Sequence, residues 1–339
     1  MKQVVLRAHP QGNPRPEDFA VEEVAIPVPG PGEILVKTLW LSLDPLIRFA
    51  LDAKPLTGIA RVGLGEPVYG GTISRVVESH HDDYAVGDLV EVRSGWREYA
   101  VVDPAKQVMA FRKIDPSITQ LSAALGVAGM PGQTAYSAVI EIARVAAGET
   151  VVISAAAGAV GVFAGQIAKM LGARIVGIAG GPAKCAALVE MGFDACVDYK
   201  AADFAEALAA AVPEKIDVYI DNVGGDVTMK VMPLLKMKAR MPVVGFISYY
   251  GDGLEAPGPD KLPGFLRFVM SRMLEVRGFG GSMTGGQKAL DDLAQWLAEG
   301  KIRNVETVVD GLENAPAAFA GKFGANDHIG KLMVRVSED

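Results

Sequence analysis

Val151-Val152-Ile153-Ser154-Ala155-Ala156-Ala157-Gly158-Ala159-Val160-Gly161-Val162-Phe163-Ala164-Gly165-Gln166-Ile167-Ala168-Lys169-Met170-Leu171-Gly172 is the stretch whose reading decides the fold. Its first four residues form an apolar, β-branched run, the pattern of a strand buried on both faces. Phe163, Ala164, Ile167, Ala168 and Leu171 then recur at helical spacing, and Gly172 supplies a helix stop. Strand, glycine loop and helix in that order are the context in which a dinucleotide motif counts. Gly158 lets backbone approach a pyrophosphate, Gly161 lets helix and strand pack closely, and the amides and dipole of the helix start face the phosphates. Gly158, Ala159, Val160 and Gly161 are therefore candidate cofactor contacts. The first glycine of G-x-G-x-x-G is replaced by Ala156. For the loop taken alone, a tight strand-to-helix turn without a ligand is the plainer alternative.

The next strand bears on which dinucleotide is bound. Arg174–Ile178 runs into Ala179-Gly180-Gly181-Pro182-Ala183-Lys184, with no Asp or Glu at its end to hold the adenosine ribose hydroxyls of NADH. An acid there would repel a 2′-phosphate, whereas two glycines leave room for it and Lys184 neutralises it. Tyr199 adds a hydroxyl donor. NADPH is preferred, although a solvated lysine at a helix start is the plainer reading of Lys184.

Working outward, further strands are expected at Thr150–Ser154, Ala195–Val197, Val218–Asp221, Arg240–Gly245 and Leu274–Gly278, and helices at Val160–Leu171, Ala183–Glu190 and Phe204–Ala211. This alternation predicts an α/β fold built on a doubly wound parallel sheet. Before Ala123 the chain differs: Ile34–Leu39, Gly71–Val77 and Leu89–Val92 are short β-branched runs between turns, the pattern of a partly open antiparallel barrel. The closing run Lys331–Val336 is strand-like and rejoins that barrel. Two units follow, 1–123 with about 305–339, and 124–304.

With 339 residues, half of them hydrophobic, and a net charge of −7, the chain has no basic face for nucleic acid. No apolar run of about 18 residues spans a membrane, the amino terminus lacks a signal-peptide core, and a cytoplasmic location is expected. Cys185 and Cys196 are expected to be reduced thiols. With two cysteines and four histidines there is no set of metal ligands at workable spacing, so no metal is expected, and His80-His81-Asp82-Asp83 reads as a polar turn.

Leu41-Ser42-Leu43-Asp44-Pro45, Gly129-Met130-Pro131-Gly132-Gln133-Thr134-Ala135-Tyr136, the Ala155–Gly161 loop, Ala179–Lys184, Asp198-Tyr199-Lys200 and Asp221-Asn222-Val223-Gly224-Gly225 together resemble the zinc-independent medium-chain dehydrogenase/reductases, in particular the prostaglandin reductase and alkenal double-bond reductase branch. The resemblance implies a Rossmann domain with a GroES-like barrel domain, a homodimer formed through the last strands of the nucleotide domain, and NADPH-dependent reduction of the C=C bond of α,β-unsaturated ketones or aldehydes. It implies pyrophosphate and 2′-phosphate contacts at Gly161, Lys184 and Tyr199, with Gly181 beside them. Asn222, Met130, Thr134, Ile247 and Ser248 fall on the nicotinamide side, Phe279 on the pocket wall, and Tyr250 on the family's characteristic tyrosine. Two departures stand out. Asp44-Pro45-Leu46-Ile47-Arg48 lacks the aromatic residue common after Asp-Pro, and the terminal Asn-x-Gly-Lys is disturbed, so that either Asn326 or His328 meets the cofactor.

The mechanism implied is hydride transfer to the β-carbon, with Tyr250 or water supplying the proton and Tyr249 the substitute should the register slip by one. Packing is the plainer role for Tyr250, Met130 and Phe279, and turn capping for Asn222. A quinone reductase or hydroxy-lipid dehydrogenase of the same fold, and an NADPH-sensing protein without turnover, are the competing readings. Pro257-Gly258-Pro259 is expected to open a lid or interface loop.

Overall fold

The computed structural model describes residues 1–53, 60–107, 111–114, 118, 120–251, 259–280, 285–324 and 327–338. The first part of the chain is mostly strand: β1 (Lys2–Leu6), β2 (Phe19–Glu23), β3 (Ile34–Ser42), a short helix α1 (Ile47–Ala50), β4 (Thr72–Ser79), β5 (Leu89–Val92), β6 (Tyr99–Val102) and β7 (Arg112–Lys113). After α2 (Met130–Tyr136) strands and helices alternate: β8 (Thr150–Ser154), α3 (Ala159–Met170), β9 (Arg174–Ala179), α4 (Pro182–Glu190), β10 (Ala195–Asp198), α5 (Phe204–Ala211), β11 (Ile216–Ile220), α6 (Gly225–Val231), β12 (Leu235–Val243), α7 (Leu262–Arg272) and β13 (Glu275–Gly278). The chain closes with α8 (Gly286–Ala298), β14 (Glu306–Asp310), α9 (Ala315–Gly321) and β15 (Lys331–Arg335).

β8 is buried at every residue. α3 carries two glycines, each costing about 1 kcal/mol against alanine. Val162, Phe163 and Ile167 are nearly fully buried, and at roughly 1.5–3 kcal/mol each their burial more than offsets that cost. Tertiary packing, not propensity, holds this helix. It ends where expected: Gly172 has φ +84°, its N–H donates to the Lys169 carbonyl at 2.9 Å, and that of Ala173 to the Ala168 carbonyl at 3.1 Å. This double bond around a left-handed glycine is the Schellman stop.

The six strands from β8 to β13 form one parallel sheet in the order β10-β9-β8-β11-β12-β13. This is the doubly wound order, in which connections leave β8 and β11 toward opposite edges and open a crevice outside their carboxyl ends. The other large sheet runs β14-β15-β3-β4-β5-β7, with β6 also paired to β3. The final strand β15 lies antiparallel to β3, so the carboxy terminus returns to the sheet built by the amino-terminal strands.

Two strand expectations are corrected. β12 begins at Leu235, not Arg240, because its pairing with β11 jumps from Ile216–Leu235 to Val218–Arg240 across an irregularity that contains Lys238 at φ +59°. β11 begins at Ile216 and stops at Ile220, leaving Asp221 to the turn. Pro257 and Gly258 of the expected lid lie outside the described residues, as does Asn326.

Candidate functional site

At the end of β8 the chain turns through Ala155 at φ +47°, and the Gly158 N–H donates to the Ala155 carbonyl at 2.9 Å. The left-handed residue of this turn is Ala155. Ala156, where the motif has its first glycine, is fully buried and needs no such freedom. A Cβ on Gly161 would lie 2.5 Å from the Ala155 carbonyl oxygen and 2.7 Å from Ala156 Cα, so close packing of helix on strand requires glycine there. Gly158 begins α3 without any side-chain cap, and the first intrahelical bond is Val162 N–H to Gly158 C=O. The amides of Ala159, Val160 and Gly161 therefore face the crevice without helical acceptors, a ready anion site.

The end of β11 holds the opposite wall. Asp221 is buried and accepts from the N–H groups of Val223 and Gly224 (both 2.9 Å), from Thr228 Oγ1 (2.6 Å), from the Tyr219 hydroxyl (3.0 Å) and from Ser154 Oγ (3.2 Å). Burial, joined by the Asp221 charge, raises the Tyr219 pKa well above its usual value, so its hydroxyl stays a donor. The turn cap expected of Asn222 is thus Asp221. The Asn222 side-chain N–H instead donates to the Ser154 carbonyl at 2.7 Å, which stitches β11 to β8. Backbone bonds from Val244 and Gly245 to the Asp221 carbonyl, and from Ser248 to that of Val223, fix the segment leading to Tyr250.

These elements surround a cleft of about 1080 Å³. Met130, Thr134, Gly158, Ala159, Val160, Gly161, Lys184, Tyr199, Asn222, Ile247, Ser248, Tyr250, Phe279 and His328 all line it. Gly181 does not: at φ +95° it begins α4 and donates its N–H to Asp198 at 2.8 Å, a turn role. Gly180 admits Tyr199, whose ring would be 2.9 Å from a Cβ there. Tyr249 is not among the lining residues. Thr134 Oγ1 donates to the Met130 carbonyl at 2.8 Å. The Tyr250 ring packs on Phe49 with centroids 4.4 Å apart, and burial raises its pKa, so the phenol is protonated.

The electrostatics are cationic. Lys184, Lys200, Lys230, Lys322 and Lys331 line the cleft against Asp44 and Asp226. Burial lowers the Lys184 pKa, Asp327 opposing it. Burial likewise brings Lys322 to about 7 and His328 to about 3, leaving the imidazole neutral. Asp44 is raised by burial, but the Lys331 ammonium with which it pairs, together with hydrogen bonds from Lys331 and Ser42, more than offsets this and holds it below the ordinary value. The Gly330 N–H donates to the Ala157 carbonyl at 2.8 Å, so the terminal segment clasps the glycine loop. Among the described residues no group of three or more His, Cys, Asp or Glu is placed to hold a metal. Cys185 and Cys196 are free thiols with their sulfurs 3.0 Å apart.

Sequence reasoning missed Asp221, Lys322 and the Asp44–Lys331 pair. An aspartate between an apolar strand and Asn-Val-Gly-Gly is a turn signal that was present in the sequence. The other two join distant positions and leave no local trace.

Comparison with known proteins adds an independent line. Residues 2–110 match the family model described as the N-terminal domain of oxidoreductase, and residues 159–299 match zinc-binding dehydrogenase. The chain is 42% identical to the NADPH-dependent curcumin reductase of Escherichia coli over 339 residues, covering 99% of this chain and 96% of that protein. It is 38% identical to prostaglandin reductase 1 of Oryctolagus cuniculus, covering 97% and 92%. The crystal structure of CurA from Vibrio vulnificus in complex with NADPH superposes with a TM-score of 0.92 at 40% identity, covering 100% of both chains.

Proposed function

The chain belongs to the medium-chain dehydrogenase/reductase family, in the zinc-independent branch with the curcumin and prostaglandin reductases, and from that premise we propose that it reduces the carbon–carbon double bond of α,β-unsaturated ketones or aldehydes with NADPH. The observation that carries this reading is that the uncapped start of α3, Lys184 and the protonated Tyr250 all open onto one cleft. The residues fit the coenzyme: amides without helical acceptors suit a pyrophosphate, and a strand β9 that runs into glycines rather than an acid, followed by Lys184, suits a 2′-phosphate. Bound there, NADPH supplies the hydride for the β-carbon. Ala159, Val160 and Gly161 hold the pyrophosphate, Lys184 and Tyr199 the extra phosphate, and Met130, Thr134 and Asn222 orient the reacting ring. Ile247, Ser248 and Phe279 wall the site, and His328 closes it as a neutral imidazole. Tyr250, its ring packed on Phe49, donates a hydrogen bond to the carbonyl oxygen on which enolate charge develops as the β-carbon gains hydride. Its proton passes to the α-carbon to give the saturated carbonyl product.

Losing one such donor costs about 3 kcal/mol in the transition state, roughly 100-fold in rate. Tyr250→Phe is accordingly expected to lower kcat about 100-fold with little change in KM; undiminished turnover would assign the proton to water. Lys184→Met is expected to weaken NADPH binding roughly tenfold or more and to leave NADH unchanged, as read by fluorescence titration. The reaction itself is tested by mixing protein and NADPH with enals, enones and quinones and identifying products by mass. A saturated product that keeps its carbonyl supports the proposal. Preference for quinones favours the quinone reductase reading, and the absence of coenzyme oxidation with any acceptor favours a binding protein without turnover.

On this reading residues 1–123 with about 305–339 form the substrate unit and 124–304 the coenzyme unit. The edge strand β13, largely exposed, is the proposed seam of a homodimer, which light scattering tests. No helix among the described residues is long and apolar enough to cross a membrane.

A further inference from the structure

We infer that Lys322 is a coenzyme-anchoring residue whose ammonium takes an oxyanion at the middle of the cleft, the pyrophosphate of NADPH, across from the amides that open α3. The inference deepens the reading above and rests on it. Lys322 follows α9, its N–H held by the Phe319 carbonyl at 3.1 Å, and lines the cleft beside Phe323, Gly324 and His328. Beyond these residues the chain returns over the glycine loop, where Gly330 binds the Ala157 carbonyl and bridges Gly158.

Three charged groups act on the Lys322 ammonium. They are Lys331 on β15, Asp44 after β3 and Lys184 on α4, and His328 feels both Lys322 and Lys184. Lys322 is therefore within electrostatic reach of both Lys184, which marks the proposed 2′-phosphate end, and Asp44, and lines the same cleft as both. Among the described residues the two carboxylates lining the cleft are engaged elsewhere: Asp44 is paired with Lys331, and Asp226 with Lys261 at 2.6 Å. Among the described residues no ion pair or side-chain hydrogen bond involves the Lys322 ammonium.

A solvated surface lysine keeps its charge to high pH. Lys322 does not, because burial first, and then the Lys331 and Lys184 charges, bring it to about 7, while Asp44 only partly opposes them. Of the charged groups that act on Lys322, two are lysines, and the one carboxylate, Asp44, is already paired with Lys331, so Lys322 itself carries an unmet demand for negative charge. His328 is neutral and contributes hydrogen bonding alone, so Lys322 is the group left to answer a phosphate at this depth. A bound oxyanion favours the charged lysine and raises its pKa. The added affinity is then fully present below the free value of about 7 and is lost as pH rises through the raised value.

The test is the dissociation constant of NADPH and of NADH, measured by fluorescence against pH for the wild-type chain, Lys322→Met and Lys322→Arg. Below the free pKa, Lys322→Met should weaken both coenzymes by the same factor, about tenfold. That difference should fade with rising pH, and Lys322→Arg should keep the affinity without the fade. Equal constants in wild type and Lys322→Met at every pH would overturn the inference. So would a loss confined to NADPH, which would move Lys322 to the 2′-phosphate. Unchanged coenzyme binding with a raised KM for a carboxylate-bearing enone would place a substrate anion there instead, also overturning it. Should Lys322→Met fail to fold, the Arg profile decides alone: a fall with pH matching that of wild type contradicts the inference. Absence of NADPH binding by the wild-type chain is a separate result, and defeats the functional reading itself.

Discussion

Gly161→Val is expected to lower the melting temperature and to cut kcat/KM about 100-fold or more. The added Cβ alone would sit 2.5 Å from the Ala155 carbonyl and 2.8 Å from that of Ala156, both backbone atoms that cannot swing aside. Helix α3 must then lift from β8, at an overpacking cost of about 1–3 kcal/mol. The lift also displaces the amides of Ala159 and Val160, and a misplacement of about 1 Å can cost about 100-fold. Gly158→Ala separates the two effects. Its Cβ meets only the Ala155 carbonyl, at 3.2 Å, so the fold should tolerate it while coenzyme binding falls. Thermal melting and coenzyme titration of both variants check the pair. Equal melting losses would mean that Gly161 is not a packing contact.

Asp221→Ala should be the most damaging single change to stability. It removes one acceptor from two backbone amides and three hydroxyl groups, all in the wall between β8 and β11. Each buried donor left unmet costs about 1–3 kcal/mol. Even with partial relaxation, a loss of about 4–5 kcal/mol is expected, a large part of the roughly 5–15 kcal/mol that holds a domain. Asp221→Asn should cost much less. Its remaining oxygen still accepts from Val223 and Gly224, and the Thr228 hydroxyl, 2.6 Å from the other position, rotates to accept from the new amide. Urea unfolding midpoints decide the point, and equal losses for Ala and Asn would contradict the cap.

How much of this was legible follows from where the information lies. β8, α3 and β9 were readable because burial on both faces forces a continuous apolar run and because Gly172 must be left-handed to end the helix. The start of β12 was hidden for a local reason. Lys236-Met237-Lys238 breaks the apolar pattern where the ladder with β11 slips, so the strand pattern in the sequence begins only after the slip. The strand-to-helix turn was legible despite Ala156, since Ala155 and not the motif's first glycine position takes the left-handed conformation. The clustering of Tyr250, Asn222 and Met130 in one cleft came from the resemblance rather than from any periodicity. The electrostatics of the cleft were not readable at all. Asp44 and Lys331 are 287 positions apart, and only the return of β15 to β3 brings them together.

The central claim is that the start of α3 binds a pyrophosphate while Lys184, following a strand β9 that ends without Asp or Glu, takes the extra phosphate. Calorimetric titration of the purified chain with NADPH and with NADH tests this most directly. NADPH should bind at least about tenfold more tightly. Equal affinity for the two coenzymes, or binding of neither, would contradict the account.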